Sequence, residues 1–181
     1  MTINSEAKTP LETAMPDERL IARAAHTEAI QERARQEMQA LGIDAGIISR
    51  LVDEFYARIA GHAALGPVFA QRLHSQHPDA ADFNATAAAG GWDAHLAKMK
   101  SFWSAIAFKT GAYGGKPVQA HMGVEGMSPE LFPQWLGLFA ETLDDLELSN
   151  EAKAWFMATA ERIARSLTLA LFYDPARDAP G

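Results

Sequence analysis

The chain has 181 residues, a formal net charge of −7 at pH 7 and no cysteine. This length suits one domain that buries a core without disulfide or metal staples. The missing cysteines exclude disulfides, thiolate metal sites and thiol catalysis. The acidic balance argues against nucleic acid or an anionic membrane surface as the main partner. No apolar run reaches the ~20 residues of a membrane span. Residues 1–16 lack the basic start and apolar stretch of a signal peptide, so we expect a soluble, cytoplasmic protein.

Apolar residues recur at helical spacing, and Val, Ile and Thr never alternate as they do in strands. The sequence therefore predicts an all-α fold. We expect residues 1–16 to be disordered or loosely attached. The first predicted helix runs from Asp17 to about Leu41 and ends at Gly42. Its charges are many and its apolar stripe is thin, which predicts a solvated helix laid against the body.

The next predicted helix covers about residues 45–60, with Asp44 in position to cap it. Its apolar residues from Ile48 to Ile59 follow spacings of four, three and four, which indicates a strong inward face. Residues 65–69 predict a turn into a brief helical piece. Residues 73–91 predict a loop, with a helical turn within it as the open alternative. The loop is long for a compact domain, which indicates a functional or variable insertion.

The clearest helix pattern covers about residues 92–110 and places His95 on an otherwise apolar face. A Gly114-Gly115 turn follows, and Pro117 begins a short helix that carries His121. The last two predicted helices cover about residues 130–147 and 149–173.

His95 and His121 are the residues with the most evident chemistry. Two helices joined by a glycine turn can stand on opposite sides of a flat cavity, so a planar cofactor would have one histidine on each face. Neutral imidazole is the usual protein ligand of haem iron. Tyr56 and Trp135, on other helices, would supply O–H and N–H donors to a ligand that gains negative charge. On spacing alone, a hydrogen-bonded core histidine is the commoner interpretation, and haem is the minority one.

A series of short segments from residue 43 to residue 173 occurs in the order typical of a known family. The matching segments are Phe55-Tyr56, Leu65-Gly66-Pro67-Val68-Phe69, Trp92-Asp93-Ala94-His95, Phe102-Trp103, Tyr113-Gly114-Gly115-Lys116-Pro117, His121, Phe132-Pro133-Gln134-Trp135-Leu136-Gly137-Leu138-Phe139 and Ala160-Glu161-Arg162-Ile163-Ala164. Each segment alone is a weak signal, but together they are specific. In these segments the chain resembles the truncated haemoglobins, and within them group III.

The resemblance implies a globin-like sandwich of two helices over two around haem b, which is iron protoporphyrin IX. Residues 43–174 would form this globin domain. Residues 1–42 would be an N-terminal extension, partly disordered and then helical, and residues 175–181 a tail. The role of the extension and of the insertion over residues 74–91 is not predicted by the resemblance.

The resemblance also implies roles for individual residues. His121 matches the proximal iron ligand, the one metal-binding residue that we predict. His95 matches the distal histidine of group III, Tyr56 the distal tyrosine and Trp135 the pocket tryptophan. The remaining positions that match the walls of the haem pocket are Phe69, Met99 and Phe102.

The implied function is binding of dioxygen, nitric oxide or carbon monoxide at a histidine-ligated iron. Two enzymatic versions stay open: reaction of dioxygen with nitric oxide to give nitrate, and activation of peroxide. A resting state in which His95 itself binds iron also stays open. An enzyme would need a separate protein reductase, because the sequence carries no flavin or nicotinamide motif. The competing class is a haem-free helical sensor or interaction module, which the presence of His121 disfavours. The sequence predicts no oligomeric state.

Four cations are candidate partners of the haem propionates. They are Arg72, Lys98, Lys100 and Lys116. His74 and His77 are three residues apart and form a weak candidate metal pair. His26 and His62 are interpreted as surface residues.

Overall fold

The computed structural model describes residues 16–76 and 91–173. Within these ranges all regular structure is helical, which confirms the all-α fold class. In chain order the helices are α1 (Pro16–Ala40), α2 (Ala45–Gly61), α3 (Leu65–Gln76), α4 (Gly91–Phe108), α5 (Pro117–His121), α6 (Leu131–Asp145) and α7 (Asn150–Phe172). Among them, no helix combines the length and apolar character that crossing a bilayer requires. The predicted loop beyond residue 76 and the two terminal segments lie outside the described residues.

Local capping sets several helix boundaries where the sequence places them. The Asp44 side chain accepts a hydrogen bond from the Ile47 N–H at 2.8 Å and so begins α2. Gly42 lies just past the end of α1 with φ at 71°, a conformation that glycine adopts without strain. The Ile43 N–H then returns to the Met38 carbonyl at 2.8 Å, and this six-to-one bond closes the helix end.

Two helix pairs build the body of the protein. Helix α2 packs against α4, α6 packs against α7, and α2 also contacts α6, which joins the pairs. Three phenylalanines, Phe55, Phe139 and Phe156, are almost completely buried where the pairs meet. This is the predicted arrangement of two helices over two. Helices α3 and α5 pack beside α4 and α7, respectively, and place their side chains at the same end of the sandwich.

Helix α1 lies against the body at one end, as its thin apolar stripe predicts. Ala34 and Met38 are its buried residues, and the helix contacts α4. Every residue from Asp17 to Ile30 is exposed, with Leu20 and Ile21 at 65% and 69% of their full accessible surface.

Helix α3 extends beyond the predicted brief piece at residues 65–69. It continues through residues 73–76, where the helical turn left open within the predicted loop is found. Pro67 stands in the first turn, where a missing N–H interrupts no helical hydrogen bond, so the helix continues past it. His62, interpreted as a surface residue, borders an open surface cleft beside α6 and also has a structural role. It is half-buried, and its Nδ1 accepts from the N–H groups of Ala64 and Leu65 at 3.3 and 3.2 Å. That ring takes up donors at the start of α3 that would otherwise be unpaired.

Candidate functional site

A mostly apolar cavity opens between α3, α4, α5, α6 and α7, with Tyr56 of α2 in its wall. Its volume, counted as the space open to the centre of a water molecule, is about 270 Å³. That is room for many waters, since one water needs roughly 10–15 Å³ on this measure. The cavity contains all seven residues that the sequence predicts for the site. They are Tyr56, Phe69, His95, Met99, Phe102, His121 and Trp135.

His121 ends the short helix α5, which Pro117 begins. The Pro117 carbonyl accepts a hydrogen bond from His121 Nδ1 at 2.7 Å. A carbonyl cannot donate, so Nδ1 carries the proton of the neutral ring and Nε2 keeps its lone pair. This bond fixes both the tautomer and the ring orientation, as such carbonyl contacts do for metal-binding histidines.

His95 enters the cavity from α4, on the predicted apolar face. Its Nε2 is buried and has no hydrogen-bond partner among the described residues. Burial, together with electrostatic interactions with Lys98 and His121, lowers the pKa of His95 from 6.5 to about 4. The imidazole is therefore neutral at pH 7. An unpaired buried nitrogen is costly, so a group in the cavity that bonds to it would be stabilised.

Tyr56 lies beside His95, and the two rings meet edge to face with centroids 4.8 Å apart. Phe69 of α3 packs against both rings, with its centroid 5.8 Å from that of Tyr56 and 5.9 Å from that of His95. Tyr56 is 6% exposed, and burial raises its pKa far above the usual value. Its hydroxyl stays protonated and makes no hydrogen bond to the described chain. It is available as a donor next to the imidazole.

Trp135 lines the cavity from α6 and is half-buried. Its ring lies nearly parallel to Phe139, with centroids 5.5 Å apart, and meets Phe55 edge-on at 5.3 Å. These contacts hold the indole against the helix core, which leaves one ring edge toward the cavity. Met99 and Phe102 of α4 are also half-buried wall residues.

Tyr113 also lines the cavity, although the sequence places it only in the glycine turn. Its ring meets Phe102 at 5.0 Å, and burial raises its pKa. A Cβ at Gly115 would come within 2.2 Å of this ring. The sequence signal for Tyr113 as a cavity residue was therefore Gly115, because a residue without a side chain leaves room for the Tyr113 ring.

The four candidate propionate partners separate into two groups. Arg72 and Lys98 line the cavity from α3 and α4. Lys100 instead pairs with the Asp53 carboxylate of α2 at 2.8 Å, and Lys116 is exposed. The weak metal pair is untested, because His77 lies outside the described residues.

Comparison with known proteins agrees with this architecture. No protein-family model matches the chain. A curated group 3 truncated haemoglobin from Campylobacter jejuni is 27% identical over 117 residues, which covers 65% of this chain and 82% of that protein. The crystal structure of a group III truncated haemoglobin from Campylobacter jejuni superposes with a TM-score of 0.59 and 26% identity, over 72% of this chain and 92% of the other. Sequence and fold thus both agree with the resemblance that the motifs indicate: the chain is similar to group III truncated haemoglobins.

Proposed function

We propose that the cavity binds haem b, with His121 as the iron ligand, and that small diatomic ligands bind on the side of His95. The observation that carries the proposal is that these two histidines, from different helices, face one apolar cavity. The similarity to group III truncated haemoglobins supports the same cofactor class.

The side chains present fit this group. His121 offers an Nε2 lone pair because its Nδ1 proton is committed to the Pro117 carbonyl. His95 offers a buried nitrogen that has no other partner among the described residues. The apolar lining suits a porphyrin ring, and Arg72 and Lys98 supply positive charge for its carboxylates.

Iron protoporphyrin IX supplies a redox-active iron that binds diatomic ligands. The chain supplies the polar groups around such a ligand. The protonated Tyr56 hydroxyl and the Trp135 indole N–H donate hydrogen bonds to a ligand that gains negative charge. Each such bond to a charged group is worth about 1.5–3 kcal/mol. His95 donates through Nε2 in one neutral tautomer or accepts through it in the other.

The same groups support redox chemistry on oxygen, nitric oxide or peroxide as a finer proposal. A neutral His95 can accept a proton from hydrogen peroxide and return it, with Tyr56 as neighbouring donor. Electrons would come from a separate protein reductase, since the chain has no flavin or nicotinamide motif. A cysteine-free chain needs no oxidising compartment to fold, which is the basis for the proposed cytoplasmic location.

The test is an absorption spectrum of the purified protein in ferric, ferrous and carbon monoxide forms, after expression with added haem precursor. We expect an intense Soret band that shifts on reduction and again with carbon monoxide. The visible bands of the ferric and ferrous forms report whether His95 already binds the iron.

His121→Ala should abolish stable haem uptake, because it removes the iron ligand. His26→Ala is the matched control, since His26 is an exposed histidine of α1 that does not line the cavity. A protein that stays colourless with added haemin would refute haem binding and favour the haem-free interaction module. Equal haem uptake by His121→Ala would refute His121 as ligand.

A further inference from the structure

A row of packed aromatic rings leads from the cavity into the opposite side of the sandwich. Phe139 lies between two indoles. Its ring is within 11° of parallel to Trp103 at 5.4 Å and within 8° of parallel to Trp135 at 5.5 Å. Trp103 then meets Phe156 at 5.7 Å, and Phe156 meets Trp155 at 5.1 Å. We call these five rings the aromatic row.

The two ends of the aromatic row differ in environment. Trp135 and Trp103 line the cavity, whereas Trp155 does not. Trp103 is buried, and Trp155, at the far end on α7, is partly exposed. Three oxidisable indoles thus lead from the cavity to the partly exposed Trp155, and a single phenylalanine separates each indole from the next. Core packing alone requires apolar volume, but it does not require indoles at both ends and in the middle.

We infer that the aromatic row is an electron path, along which Trp135, Trp103 and Trp155 pass single electrons from the protein surface to an oxidant at the cavity. The inference rests on the proposed function, because hydrogen peroxide is taken to be reduced at the bound haem. Peroxide takes up two electrons and two protons and becomes two waters. The electron vacancy left in the row moves outward to Trp155. A one-electron donor in solution, such as a phenol or ascorbate, fills it there, so two donor molecules are oxidised for each peroxide.

Geometry favours this direction because electron transfer slows steeply with distance, and indoles break a long transfer into short steps. Tyr113 is the competing exit, since it lines the cavity and is half-buried. Oxidation of a phenol requires its proton to leave. Tyr113 has no hydrogen-bond acceptor for that proton in the described part of the chain. An indole can lose an electron and keep its N–H proton, so the tryptophans form the easier path.

The test adds one equivalent of hydrogen peroxide to the ferric haem-loaded protein without a donor. Freeze-quenched samples are examined by electron paramagnetic resonance, and the oxidised residues are located by peptide mass spectrometry. We expect a tryptophan radical and oxygen added to Trp155. Added ascorbate should suppress the oxidation at Trp155. Trp155→Phe should abolish that modification and shift oxidation inward to Trp103 and Trp135.

Trp92→Phe is the matched control, because Trp92 packs on Phe69 and His95 and is not part of the aromatic row. This variant should keep the Trp155 product. Oxidation at Tyr113, or confined to Trp135, would overturn the inference. Equal oxidation of Trp155 in haem-free protein would also overturn it, since the peroxide would then act directly from solution. Failure of the proposed function is separate, because it shows as a missing Soret band before any peroxide is added.

Discussion

Replacement of Tyr56 by phenylalanine isolates the contribution of one hydroxyl. The ring is 6% exposed and is held edge to face by Phe55, Phe69 and His95, so phenylalanine should keep its position. The hydroxyl makes no hydrogen bond to the described chain, so its loss should not lower the free energy of unfolding. If it donates to bound dioxygen, its loss removes about 1.5–3 kcal/mol of ligand stabilisation. Every 1.4 kcal/mol is a factor of ten, so dioxygen should leave about 10- to 150-fold faster.

The assay is stopped-flow displacement of dioxygen from the ferrous protein, with urea unfolding as the check on stability. Tyr113→Phe removes a hydroxyl from the same cavity at a residue not paired with His95, and should change the rate much less. An unchanged rate in Tyr56→Phe has two explanations, which the double variant with Trp135→Phe separates. A fast rate in the double variant alone would mean that the indole compensates. An unchanged rate in Tyr56→Phe, in Trp135→Phe and in the double variant would refute hydrogen bonding by either residue.

Three further predictions concern backbone space and protonation. A Cβ at Gly66 would come within 2.8 Å of a backbone carbonyl at the end of α2, so Gly66→Ala should lower the free energy of unfolding by about 1–3 kcal/mol. Gly61→Ala has open space around its Cβ and should leave the free energy of unfolding unchanged. Urea titrations of the two variants measure the difference. Gly115→Ala should displace the tyrosine ring two residues earlier, whereas Gly114→Ala should not. Carbon monoxide rebinding after photolysis measures the difference, and identical kinetics would contradict it. The His95 pKa lies near 4 in the fold and near 6.5 when unfolded, so the unfolded state binds a proton first as the pH falls. Haem-free protein should therefore lose stability from about pH 6.5 toward 4, and His95→Leu should lose less over that range. Parallel curves would exclude His95 as the cause.

Helix positions were predictable wherever the signal is local. The four-three-four spacing of α2 and the Asp44 cap need no tertiary information, and both are found in the structure. The meeting of His95 and His121 in one cavity is different. Spacing alone favoured a hydrogen-bonded core histidine at each position. The family resemblance predicted that both residues line one haem pocket. Their roles in ligand and iron binding stay predictions.

Other features depend on contacts that sequence patterns do not encode. His62 caps α3 through its ring, which requires the chain to turn between α2 and α3. Tyr113 reaches the cavity because Gly115 has no side chain in its path. The extra turn of α3 has no clear apolar period, and Leu73 is its buried residue beyond the predicted piece. In each case the position of the residue depends on a backbone or side chain that is adjacent in the fold, which the local sequence pattern does not specify.

Helix α1 is attached to the body only through its C-terminal half, and this affects how the helix unfolds locally. From Asp17 to Ile30 the helix has no buried side chain, and nearby ion pairs such as Arg33–Glu37 join residues of the same exposed helix. Isolated helical stretches of this length are marginal in water. Amide protons there should exchange by local fraying, whereas those near Ala34 and Met38 should exchange with the body. The boundary of the cooperative unit therefore lies inside α1, and helix-breaking substitutions between residues 20 and 30 should leave global unfolding unchanged.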